Sequence, residues 1–161
     1  MSTGSLLIVW HSRTGTSEQL ARAAADGAGG GGVLLRAEDC APADLLSAGG
    51  YLFCCPENLA SMRGAMKEMF DRCYYPVLGQ IEGRPYATII AAGSDGEGAQ
   101  RQIDRIATGW RLKRATEPWI VNTDAQEPEE ILAEKTVAQN DIDQARQMGE
   151  AMAEGIAQGI F

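Results

Sequence analysis

Residues 11–19 read HSRTGTSEQ, and hydroxyls from Ser12, Thr14, Thr16 and Ser17 crowd around a single glycine, Gly15. The stretch follows the apolar run Leu6–Trp10 and leads into residues with helical spacing. Hydroxyls and free backbone N–H groups at a helix start form a dianion site that needs little formal positive charge. Arg13 either adds a cation there or is a solvated turn residue. Thr16 and Gln19 have the spacing of a capping box, so an ordinary helix cap accounts for the same residues. Two further segments mix small and turn-forming residues in the same way, Pro56–Gly64 (PENLASMRG) and Gly93–Gly98 (GSDGEG). In the second, Ser94 and Glu97 repeat the capping-box spacing.

Other chemistries find less support. The four cysteines, Cys40, Cys54, Cys55 and Cys73, lack CxxC pairing, and His11 is the only histidine, so no metal-ligand set is expected. Cys54 and Cys55 lie inside an apolar run, where a free thiol packs as a small hydrophobe. Reduced, buried thiols point to a cytoplasmic protein. With 14 basic against 22 acidic residues and a net charge of -8, the chain is not expected to bind nucleic acid. No apolar run approaches the ~20 residues of a membrane span, and the start MSTGSLLIVWH lacks the pattern of an export signal. Its 161 residues fit one domain without disulfide or metal support.

The elements that must position the three segments follow from hydrophobic period. Leu6–Trp10, Val33–Leu35, Tyr51–Cys55, Tyr86–Ala92 and Pro118–Val121 read as strands, nearly continuous in apolar character as in a sheet covered on both faces. Met62, Ala65, Met66, Met69, Phe70 and Cys73 form one helical stripe, and Ile142, Ala145, Met148, Met152 and Ile156 another, with Asp141 as its cap. Further helices are expected over residues 17–27, 42–47 and 97–110, and a short one from Pro128. Gly29–Gly32 reads as a flexible turn. Five β-α units give an open, doubly wound α/β fold with a parallel sheet and helices on both faces. Ligands of such sheets bind beyond the carboxyl ends of the strands, where the strand order reverses. The three segments all follow strands that end there.

Over a longer stretch, IVWHSRTGTSEQLA resembles the phosphate-loop signature of flavodoxins, through Ile8, Val9, Ser12, Gly15 and Ala21, with Trp10 in place of Phe or Tyr and Ser17 in place of Thr. Tyr51–Arg72 resembles the matching segment of flavodoxin-like NAD(P)H-dependent FMN reductases and quinone reductases, through Pro56, Met62, Lys67, Phe70, Asp71 and Arg72. The resemblance implies a flavodoxin-like domain over residues 1–161, strand order 2-1-3-4-5, and an FMN cofactor. By the same resemblance Ser12, Arg13, Thr14, Gly15, Thr16 and Ser17 hold the phosphate. Pro56, Glu57, Asn58, Leu59 and Ala60 border the isoalloxazine on one side, and Gly93, Ser94, Asp95 and Gly96 on the other.

Neither ring-bordering loop carries the aromatic that electron-carrier flavodoxins stack on the ring. An open ring suits a flavin that takes hydride from NAD(P)H and passes it to a quinone, a free flavin or a similar small acceptor. No side-chain acid or base is needed for that transfer, so no catalytic residue is assigned. The alternatives are an electron carrier that serves a redox partner protein, and a flavin-free relative that acts as a binding module. The chain has no insertion long enough to cover a nicotinamide, so a homo-oligomer that completes the site is expected.

Overall fold

The computed structural model describes residues 4–161. Five long strands form the sheet: β1 (Leu6–Trp10), β2 (Gly32–Arg36), β3 (Gly50–Asn58), β5 (Pro85–Ala92) and β7 (Trp119–Asn122). They are parallel and lie in the order β2-β1-β3-β5-β7, the 2-1-3-4-5 order of the sequence reading. Two short strands add to them. β4 (Ser61–Met62) folds back on the end of β3, and β6 (Lys113–Arg114) pairs with the start of β5.

Strand alternation builds two cores. Leu6, Ile8, Trp10, Leu52, Cys54 and Ile89 face α1 (Thr16–Ala28) and α6 (Gln139–Gln158). Leu7, Val9, Tyr51, Phe53, Cys55 and Ile90 face α2 (Pro42–Ser47), α3 (Gly64–Val77) and α4 (Glu97–Gly109). The adjacent Cys54 and Cys55 thus belong to opposite layers, and all four cysteines are free and buried. Burial pushes the Cys55 thiol up to about 12 and the Cys54 thiol well above its ordinary value, so both are neutral packing groups.

The α3 stripe packs as read, with Met66, Met69, Phe70 and Cys73 buried, and fully burying each of the larger ones contributes about 1.5–3 kcal/mol. Met62 leaves that stripe, because the chain between β3 and α3 turns back as β4. In α6, Ala145, Met152 and Ile156 are buried as expected, but Ala138 is the N-cap and Asp141 lies within the first turn. Gly29–Gly31 form a 3-10 turn, and Gly32 already belongs to β2.

One connection matters for the site. β7 lies at one edge of the sheet, while α6 packs beside α1 and against β1 on one face. Residues 123–138 must therefore cross the carboxyl ends of the strands to join them. This strap contains α5 (Pro128–Leu132), started by Pro128 as the sequence suggests.

Candidate functional site

The loop after β1 turns at Gly15, whose φ of +104° few side-chain-bearing residues adopt. Gly15 is the N-cap of α1 and makes no side-chain cap, so the box read from Thr16 and Gln19 does not form. Ser12 Oγ instead accepts a hydrogen bond from the Gly15 N–H at 3.1 Å, which closes the loop on itself. Gln19 is drawn elsewhere: its Nε2 donates to the Gly15 and Lys135 carbonyls at 3.0 and 2.8 Å, and its Oε1 accepts from the Val137 N–H at 3.1 Å. The Lys135 N–H donates to the Thr14 carbonyl at 2.8 Å. The strap is thereby stitched to both sides of the loop.

With Gln19 committed to the strap, the start of α1 keeps two hydroxyls without partners. Thr16 Oγ1 and Ser17 Oγ are buried, at 4% and 1% residue exposure, and neither makes a hydrogen bond. Leaving a buried hydroxyl unpaired costs about 1–3 kcal/mol, so two such groups on neighbouring residues mark a place where a polar partner is favoured. Both line a cavity of about 60 Å³, several times the ~10–15 Å³ that admits one water. Its size and position beyond the β1 and β3 strand ends suit a tetrahedral oxyanion held by hydroxyls and the helix dipole.

The structure brings Ser12, Arg13, Thr14, Thr16, Ser17, Pro56, Glu57, Asn58 and Gly93 together around this cavity. It keeps Leu59, Ala60, Ser94, Asp95 and Gly96 out of the lining. Leu59 and Ala60 form the two-residue turn between β3 and β4, both at positive φ, and Leu59 is almost wholly exposed. Such a turn normally takes Asn-Gly, and each non-glycine residue held there costs about 1–2 kcal/mol. The Met62 N–H offsets part of this through the Gln102 carboxamide at 2.8 Å, and Ser61 Oγ accepts from the same group.

The Glu57 side chain turns towards α4. Its two carboxylate oxygens accept from the Gly96 N–H at 2.8 Å and the Ala99 N–H at 3.1 Å. Gly96, at a φ of +95°, is the N-cap of α4, and no Ser94–Glu97 box forms; Asp95 Oδ1 instead accepts from the Glu97 N–H at 3.3 Å. The Ser94 carbonyl accepts from the Asn122 side chain at 3.0 Å, which ties this loop to the end of β7.

Ala91 and Ala92 at the end of β5, with Thr123, Ala125, Ile131 and Lys135 from the strap, complete the lining, and none of the six is among the site residues expected from the sequence. No local motif marks the four from the strap. The signal was topological, since a last helix beside the first forces the intervening chain over the strand ends. His11 lies outside the lining. Its Nδ1 is buried without a partner and its Nε2 is 3.7 Å from Glu38, and burial holds its pKa below the ordinary value despite that carboxylate. Among the described residues no group of His, Cys, Asp and Glu side chains could hold a metal ion, and no helix is long and apolar enough to cross a membrane.

No family model and no curated protein sequence matches the chain. Solved structures match it over nearly its full length. A flavodoxin from the domain Archaea superposes with a TM-score of 0.76 at 16% identity, covering 95% of this chain and 99% of that one. A WrbA-like flavodoxin from Agrobacterium tumefaciens gives 0.72 at 15% identity, covering 96% and 98%. An NADPH-quinone reductase from P. pentosaceus gives 0.63 at 17% identity, covering 91% and 97%. The chain has the flavodoxin fold.

Proposed function

We propose, from a chain with the flavodoxin fold and an open, hydroxyl-lined helix start, that the protein binds FMN and works as an NAD(P)H-dependent oxidoreductase for a quinone, free flavin or similar small acceptor. The observation that carries the reading is the pair of buried, unpartnered hydroxyls on Thr16 and Ser17. An FMN phosphate satisfies both, and the first-turn N–H groups of α1 supply the remaining donors. Bound there, FMN supplies the redox chemistry, while the protein supplies position and electrostatics.

Ser12 shapes the turn through Gly15, and Gln19 with the strap holds it in that shape. Pro56, Glu57, Asn58 and Gly93 line the same cavity, and on this reading the rest of the nucleotide passes them. The absence of an aromatic from residues 57–60 and 93–98 leaves a bound ring accessible to a nicotinamide and to an acceptor. A second reading, an electron carrier, draws on the match to the archaeal flavodoxin over almost all of both chains.

The test is to purify the protein, add FMN, and follow NADH and NADPH oxidation with a quinone present. Tight FMN binding with rapid NAD(P)H oxidation is expected. Binding without oxidation selects the carrier, and failure to bind FMN refutes both readings.

A further inference from the structure

We propose that the strap delivers a cation to the anion site, with the Lys135 ammonium as a direct ligand of the bound phosphate. This rests on the FMN reading above and assigns a residue that the phosphate-loop resemblance does not contain.

Lys135 lines the same cavity as Thr16 and Ser17. Its backbone is fixed on both sides, the N–H by the Thr14 carbonyl and the carbonyl by Gln19, so its Cα is held against the phosphate loop. Its side chain is free to choose partners. The ammonium donates to the Ile131 and Ala133 carbonyls, both neutral, and no carboxylate of the described residues lies within 4.0 Å of it. An ammonium has three donors, and a hydrogen bond to an ionised oxygen is roughly twice as strong as one to a neutral carbonyl. A dianion in the cavity therefore outcompetes at least one of these carbonyls.

The distribution of charge along the strap points the same way. Residues 123–138 carry five acids, Asp124, Glu127, Glu129, Glu130 and Glu134, and a single base, Lys135. The base lines the cavity and none of the acids does. In a chain of net charge -8 the general field opposes an incoming dianion, so a fixed local cation has most to contribute here.

The alternative role for Lys135 is to cap the short α5 through those two carbonyls, and ligand chemistry separates the two. FMN and riboflavin differ by the phosphate alone, and both are titrated by flavin fluorescence against the full-length protein, Lys135→Met and Lys135→Arg. Lys135→Met should weaken FMN at least about tenfold, leave riboflavin within about twofold, and flatten the salt dependence of FMN binding, while Lys135→Arg retains most of the affinity. Equal losses for both flavins, or no loss for either, overturn the proposal. Inorganic phosphate is the second probe, read as a rise in melting temperature. If the natural protein ignores FMN yet phosphate stabilises it through Lys135, the cation role stands and the flavin reading falls.

Discussion

Two helices, α1 and α4, start at the carboxyl end of the sheet, each behind a glycine at positive φ that serves as N-cap without a side-chain cap. At α4 the Glu57 carboxylate, reaching across from β3, accepts from Gly96 and Ala99 and closes the helix start with the protein's own anion. At α1 the comparable place is lined by the unpartnered hydroxyls of Thr16 and Ser17, and the one carboxylate in the cavity lining, Glu57, is committed to α4. Backbone geometry alike in kind thus gives one helix start closed by a carboxylate of the protein and one whose two hydroxyls stay unpaired. What distinguishes the two helix starts is the partner that the rest of the fold supplies.

The sharpest way to break the contrast is to give α1 its own anion. Ser17→Asp should lower FMN affinity at least about a hundredfold, since like charges forced together cost several kcal/mol. The ligand-free melting temperature should hold or rise as the carboxylate meets the helix dipole. Persisting affinity in a fluorescence titration would show that α1 is not the phosphate site.

Next in size are the glycines. An added Cβ at Gly96 would come within 2.6 Å of Ile120 Cγ2, whereas at Gly15 the nearest atom is the end of the Gln19 side chain at 3.2 Å. Gly96→Ala should cost about 3 kcal/mol, combining backbone strain and overpacking, against about 1–2 kcal/mol for Gly15→Ala. Denaturant unfolding of both variants measures the difference, and equal costs would mean that packing around Gly96 relaxes freely.

The smallest effect should come from opening α4. Glu57→Ala removes the carboxylate and should destabilise the protein by about 1–2 kcal/mol, the range of a lost helix cap. Sulfate should then raise the melting temperature of the variant more than that of the natural protein, because a second helix start has become an anion site. An equal response would argue that Glu57 contributes nothing specific at α4.

The sheet and its helices were legible because their signals are local. Leu6–Trp10 and Tyr86–Ala92 are apolar runs bounded by turn residues, and the α3 and α6 stripes repeat at helical spacing. The loop after β1 was legible in its hydroxyls, but not in how it is capped. Ser/Thr before a helix usually signals a side-chain cap, yet here Gln19 is drawn to Lys135 and Val137, more than a hundred residues away. β4 is hidden in the sequence because its Leu59–Ala60 turn lacks the Asn-Gly chemistry that marks such hairpins, so Met62 reads as part of the helical stripe. Lys135 and Thr123 reach the cavity only through the path of the strap, which the order of the elements determines and no short window reveals.

The long reach of Gln19 has a consequence for how the protein is made. On the ribosome, β1, the hydroxyl loop and α1 emerge ahead of Lys135 and Val137, which follow more than a hundred residues later. Until they arrive, the Gln19 carboxamide lacks the partners that hold it away from the loop. The nascent chain therefore carries the hydroxyls of the β1–α1 loop before the frame that sets their positions, and the loop takes its final shape only once residues 135–137 have been made.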